Sequence, residues 1–264
     1  LTGGVSLGFV IGVFPINAHK VDYDVPFSDP DIGNMYEYMK VRTVKIYPYA
    51  GYNSFASGFI ISKRGYIMTA AHVVSNVKLG GQVDIKMADG TKVKGRVTFY
   101  DRGADVAVIH VPRTFNVEFT LNPQRLNKGD TVHVMGHPHH RSYRYYKGTI
   151  KSYDNAWSLT KYPMLFVDIT GAPGMSGGPL VDSKGQVVGI LQGGRFDPSK
   201  DFTRDMVFVP IDLALKLLFQ ESIKKQPTKP SDESQDDYPD HTDSKSRRHS
   251  EVHYRQKVRD NRST

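Results

Sequence analysis

About a dozen short runs rich in β-branched and aromatic residues, divided by turn signals, constrain this chain more than any other feature. They lie at 41–47, 57–62, 66–69, 82–87, 92–100, 106–111, 131–135, 148–153, 165–169, 179–181, 187–191 and 206–209. Turn chemistry separates them, as in Lys63-Arg64-Gly65 and Ala88-Asp89-Gly90. Such spacing is the pattern of antiparallel sandwiches and barrels, and the count suits two six-stranded barrels better than one sandwich. The expected fold is therefore all-β, two six-stranded antiparallel β-barrels, closed by a C-terminal helix over 211–222. There Ile211, Leu213, Leu215, Leu217 and Leu218 supply an apolar stripe, and Asp212 sits where a carboxylate suits the helix dipole. A second, short helix is expected near 35–40.

The ends read differently from the middle. Residues 1–18 hold an apolar run of about ten residues, short for a membrane span but similar to the hydrophobic part of a secretory signal. A buried strand or re-entrant piece fits the same run. Residues 19–40 form a loop-rich lead-in, 41–225 carry the strands, and 226–264 have almost no aliphatic side chains. Such a tail cannot bury enough apolar surface to offset its ordering entropy, so disorder is expected there. The chain contains no cysteine, which excludes disulfides, thiolate chemistry and zinc–cysteine sites. Its net charge is +8, and the tail, with eight basic and eight acidic residues, contributes none of it. A moderate excess on the strand region serves solubility more often than nucleic-acid binding.

Three segments carry candidate chemistry. Gly174-Met175-Ser176-Gly177-Gly178-Pro179 sets a serine among glycines, where tight backbone lets the Gly174 and Ser176 amides point at one developing negative charge. Taken alone, the cluster reads equally well as a turn. A nucleophilic hydroxyl needs a base, and His72 stands at the end of a buried strand in Thr69-Ala70-Ala71-His72. Asp105, at the mouth of the apolar strand Val106-Ala107-Val108-Ile109, is a natural partner for it. A structural histidine and a surface aspartate are the plainer readings of each.

Together the three segments resemble the catalytic motifs of trypsin-like serine proteases of the chymotrypsin fold, in the order His, Asp, Ser. More narrowly, Asp101, Gly136-His137-Pro138, Asp168, Val187-Val188-Gly189-Ile190 and Val209-Pro210-Ile211-Asp212 are similar to the HtrA (Deg) branch. The resemblance spans about residues 41–219. It implies a site between two barrels, with His72 as base, Asp105 as its orienter and Ser176 as nucleophile. It also implies an oxyanion hole from the amides of Gly174 and Ser176, and an acyl-enzyme intermediate. Residues 169–172 and Leu191-Gln192-Gly193-Gly194 would line the primary pocket, with Thr170, Gly171, Ala172, Gln192, Gly193 and Gly194 touching an extended substrate. Thr170 holds the position where an acid would select Arg or Lys, so a small or medium uncharged side chain is expected before the scissile bond.

The resemblance implies no metal and no cofactor, protein or peptide substrates, and, by likeness to HtrA proteins, a homo-oligomer such as a trimer. Residues 1–18 add the expectation of a secreted, periplasmic or membrane-associated location. Two departures are informative. Met175 stands where digestive trypsins carry Asp and the HtrA branch usually carries Asn. The peptide-binding domain that follows the protease in most HtrA proteins gives way here to the charged tail. Two rival readings stay open: a viral or phage protease that processes a polyprotein, and a silent peptide binder whose Met175 loop forms no oxyanion hole. Outside the triad, His137-Pro138-His139-His140 is too tightly spaced for a usual zinc site. The run 141–147 interleaves cations and aromatics as single-strand binders do, but is expected to be a surface loop beside the site.

Overall fold

The computed structural model describes residues 32–48, 55–155, 160–194 and 203–224. The segments 1–18 and 226–264 lie outside these residues. Helix α1 (Ile32–Lys40) leads into β1 (Thr43–Tyr47), β2 (Ala56–Ser62), β3 (Tyr66–Thr69), β4 (Gln82–Lys86), β5 (Lys92–Asp101) and β6 (Val106–His110). These six close a barrel in the order β1-β2-β3-β6-β5-β4. Strands β7 (Thr131–Gly136), β8 (Arg144–Asp154), β9 (Met164–Gly171), β10 (Pro179–Asp182), β11 (Val187–Gly194) and β12 (Thr203–Pro210) close a second, ordered β10-β11-β12-β9-β8-β7. Helix α2 (Ile211–Lys224) ends the described chain. Every neighbouring pair is antiparallel, so the expected architecture is the one observed.

Alternation along each strand sorts side chains into three cores. Val44, Ile46, Ile67, Ile85, Val97 and Ile109 fill the first barrel, and Val132, Val134, Leu165, Val167, Leu180 and Phe208 the second. The third cluster joins them. Phe59, Met68 and Val108 from the first barrel meet Met135, Val181 and Val207 from the second, with Met35 and Met39 of α1 and Leu218 of α2 packed against them. That shared layer explains why β6 is buried on both faces, Val106 and Val108 in the shared core and Ala107 and Ile109 in the first barrel, and reads as a continuous apolar run.

One expectation needs correcting. Residues 144–147 belong to β8, paired through Arg144↔Gly136, Tyr145↔Met135, Tyr146↔Val134 and Lys147↔His133, and do not form a surface loop. Large aromatics and long basic stems suit a half-buried pleated surface as well as aliphatics do.

Candidate active site

Strand pairing brings His72 and Asp105 together. β3 and β6 are neighbours in the register Thr69↔Ala107, so the turn after one lies beside the turn before the other. His72 sits in a short 3-10 turn, Ala71–Val74, directly after β3. The Asp101 carboxylate accepts the Ala104 amide at 2.8 Å, curling the chain just ahead of Asp105. Asp105 is only 5% exposed and has φ +61°, a left-handed conformation that aspartate tolerates better than most residues. Both of its oxygens are engaged: Oδ1 accepts the His72 backbone N–H at 2.8 Å, and Oδ2 lies 2.8 Å from His72 Nδ1. With Nδ1 donating to that carboxylate, Nε2 is the nitrogen left with a lone pair. The imidazole is half-exposed.

Ser176 lies in the turn between β9 and β10 and is clamped between the barrels. The Ser57 amide on β2 donates to the Ser176 carbonyl at 2.9 Å, while the Gly177 amide donates to Leu191 O on β11 at 2.7 Å. Gly177 has φ +81°, and a Cβ there would strike Thr69 Oγ1 and come within 3.0 Å of the Ala70 amide. The serine turn is thus pressed against the residues that lead into His72. Thr69 Oγ1 in turn donates to Ser57 O at 2.7 Å, tying the two supports together.

The backbone from Ala172 to Gly178 has a distinct hydrogen-bond pattern. Met175 N–H donates to Ala172 O at 3.3 Å across Pro173 and a Gly174 with φ +97°, which is the sequence and geometry of a type II turn. His139 N–H donates to Pro173 O at 3.0 Å, so peptide planarity turns the Gly174 N–H the opposite way. Ser57 Oγ donates to Gly174 O at 3.1 Å, fixing the next peptide as well. Gly178 N–H donates to Met175 O at 3.0 Å. Among the described residues, the amides of Gly174 and Ser176 alone in the run 174–178 have no acceptor. Met175 is fully buried in the second barrel, its side chain aligned against Gly136.

Of the candidate pocket residues, Thr170 and Gly171 lie on β9, Ala172 just after it, and Gln192, Gly193 and Gly194 on β11. Gly171 and Ala172 are buried, Thr170 is half-buried, and Gln192 occupies a bulge where the pairing with β12 slips between Leu191 and Gly193. The Gln192 amide oxygen is buried and has no hydrogen-bond partner among the described residues. Sequence reasoning missed Met206 on β12. Its register partner is Gly194, and its Sδ would lie 2.5 Å from a Cβ built on Gly171, so its side chain packs against Gly171. Ser57 and His139 were missed too, since each acts on the serine turn through contacts distant in sequence. His137 is a buried neutral ring. Its Nδ1 accepts the Tyr143 amide at 3.0 Å, and burial, with Lys45 nearby, holds its pKa down to about 3.

Two closed six-stranded barrels, with a histidine–aspartate pair on the first and a glycine-flanked serine turn on the second, define a chymotrypsin-like fold. Residues 56–190 match the trypsin-like peptidase domain, about half of the chain, and the chain belongs to that family. A probable periplasmic serine endoprotease DegP-like protein of Halomonas elongata is 33% identical over 175 residues, covering 63% of this chain and 35% of that protein. The protein of the same description from Pseudomonas putida is 30% identical over 170 residues, 61% and 34% of the two chains. The chain therefore spans about a third of the length of these curated relatives. Among solved structures, HtrA-type protease AlgW with tripeptide matches with TM-score 0.66 and 25% identity, over 75% of this chain and 65% of that one. The serine endoprotease from Yersinia pestis matches with TM-score 0.62 and 23% identity, over 74% and 68%.

Proposed function

We propose that the chain is a serine endopeptidase that hydrolyses peptide bonds through Ser176, His72 and Asp105. The observation that carries this reading is the pair of acceptor-free amides at Gly174 and Ser176, in a turn pinned from both sides beside a His72 locked by Asp105. In the proposed mechanism Ser176 Oγ attacks the scissile carbonyl as His72 Nε2 takes its proton. The Asp105 carboxylate holds the ring in the required tautomer and stabilises its protonated form. Negative charge on the carbonyl oxygen is met by the two amides, each worth roughly 3 kcal/mol to the transition state. His72 then protonates the departing amine, leaving an acyl-enzyme on Ser176, and a water activated by the same histidine releases the acid.

Thr170, Gly171 and Ala172, with Gln192, Gly193 and Gly194 across from them, would bind the acyl side of an extended substrate. The absence of a carboxylate at Thr170 and the thioether of Met206 under the floor support a small or medium uncharged residue before the scissile bond. The DegP-like relatives are named as periplasmic, which supports a location outside the cytoplasm. A membrane contact or an oligomer stays a proposal of the sequence alone; no described helix is long and apolar enough to cross a membrane. The unengaged amides of Gly174 and Ser176 in the Met175 turn favour the peptidase over the silent-binder reading. Reaction with a fluorophosphonate, which modifies activated serines, tests the reading at Ser176 itself.

A further inference from the structure

The outer face of the first barrel carries a row of cations that the catalytic reading does not use. Lys45 on β1, Lys86 on β4 and Lys92 on β5 are direct cross-strand partners, Lys45↔Lys86 and Lys86↔Lys92. Side chains so placed stand about 5 Å apart at Cβ, and like charges there destabilise a sheet. The adjacent row on the same face, Tyr47↔Asp84↔Lys94, is built the ordinary way, with Lys94 paired to Asp84 at 2.8 Å. Among the described residues, none of the three lysines in the first row has a carboxylate partner. Lys45 donates to Ser142 Oγ at 2.6 Å and sits 4.4 Å above the Phe55 ring, two contacts that leave its charge uncancelled. Burial, and then the facing Lys86, push the Lys45 ammonium toward its neutral form. The stretch 136–147, which holds the Ser142 partner of Lys45, contains no Asp or Glu and includes Arg141, Arg144 and Lys147. The nearby acid on the β4–β5 turn, Asp89, is turned back on the Thr91 amide at 2.8 Å.

This row begins beside the nucleophile turn, on the side away from β11. Ser57, which holds the Ser176 carbonyl, is two residues from Phe55. The Phe55 ring stands edge-on to His137 at 5.9 Å, and the His137 carbonyl abuts Gly174, 2.5 Å from where a Cβ would lie. A substrate whose acyl half runs along Leu191 to Gly194 would send its departing half toward Phe55, since Ser176 and Gly177 are held between Leu191 on β11 and Ser57 on β2.

We propose that Lys45, Lys86 and Lys92 form a subsite for an acidic residue on the leaving-group side of the scissile bond, an inference that rests on the peptidase reading. Lys86 and Lys92 reach solvent and supply the contact; Lys45, at 8% exposure, sets the potential behind them.

The test uses two peptides identical up to the scissile bond, followed by Asp-Asp in one and Ala-Ala in the other. The acidic peptide is expected to show kcat/KM roughly fivefold to tenfold higher, mostly through KM, with the advantage shrinking as salt is raised. The ratio falls to near one in Lys86→Ala/Lys92→Ala and persists in Lys94→Ala, whose ammonium is already neutralised. Equal cleavage of the two peptides, or a ratio untouched by the double substitution, overturns the subsite. Fluorescence anisotropy of the labelled peptides on Ser176→Ala reads binding without turnover. Preferential binding of the acidic peptide there, with neither peptide cut by the wild type, would keep the subsite and remove the peptidase reading. An oligonucleotide of equal charge binding Ser176→Ala more tightly than the acidic peptide would assign the row to nucleic acid and overturn the proposal.

Discussion

Met175 shows how a single side chain can order the serine turn by packing. It is buried among Val134, Leu180 and Leu191, and its amide and carbonyl close the two turns on either side of it. Replacing it with Asn, the residue usual in the HtrA branch, would place an amide in this apolar pocket at a cost of about 2–4 kcal/mol. Thermal unfolding of Met175→Asn should shift down by on the order of 10 °C, while Met175→Leu stays close to wild type. An unchanged melting temperature for Met175→Asn would show that a polar partner exists for it. At this scale His72, Asp105 and Ser176 were legible as candidates only when their three segments were taken together, since each alone also suits a plainer role. The left-handed backbone of Asp105, the Ser57 hydroxyl on Gly174 O and the His139 amide on Pro173 O were not. They depend on chain segments dozens of residues apart, which leave no local signature.

At the scale of elements, β9, β11 and β12 build the proposed pocket, and Met206 decides its depth. Trimming Met206 to Ala removes the thioether packed on Gly171 and opens space below it. Met206→Ala should therefore cleave after Leu or Phe with kcat/KM raised about tenfold relative to cleavage after Ala or Val, at some loss of stability. A peptide panel with unchanged preference would place Met206 outside the pocket. Strand boundaries were readable wherever turn chemistry marks them: β3 lies at 66–69 as expected because Lys63-Arg64-Gly65 precedes it. The start of β8 was placed four residues late, since Arg144-Tyr145-Tyr146-Lys147 carries no aliphatic signal and owes its strand conformation to pairing with β7. Helix α1 began three residues earlier than expected, at Ile32. Among its residues from Asn34 onward only Met35 and Met39 are buried, too sparse a stripe to mark the helix in the sequence.

For the molecule as a whole, two buried histidines couple stability to pH. Burial, with Lys147 close by, holds the His133 pKa at about 4, and His137 is held at about 3. In the unfolded chain both titrate near 6.5. Below that pH the unfolded state takes up protons that the native state refuses. The stabilisation is therefore complete above pH 6.5 and is lost as pH falls toward the native values, by up to about 1.4 kcal/mol per pH unit for each ring. Denaturant unfolding at pH 5.5 should give a free energy roughly 2–3 kcal/mol below that at pH 7.5, and His133→Phe should remove about half of the difference. A flat profile would mean that neither ring is held neutral in the fold, and a difference of half that size that only one of them is.

The shared core of Phe59, Met68, Met135 and Val207 fixes the barrels against each other, and with them the Ser57 and Leu191 clamps on the serine turn. The central claim is that this arrangement activates Ser176. Mass spectrometry of the folded chain after fluorophosphonate treatment tests it most directly. One adduct mapped to Ser176, absent in Ser176→Ala and formed far more slowly in Asp105→Asn, is the predicted result. A folded wild type that takes up no adduct, or takes it up equally when Ser176 is Ala, would contradict the claim.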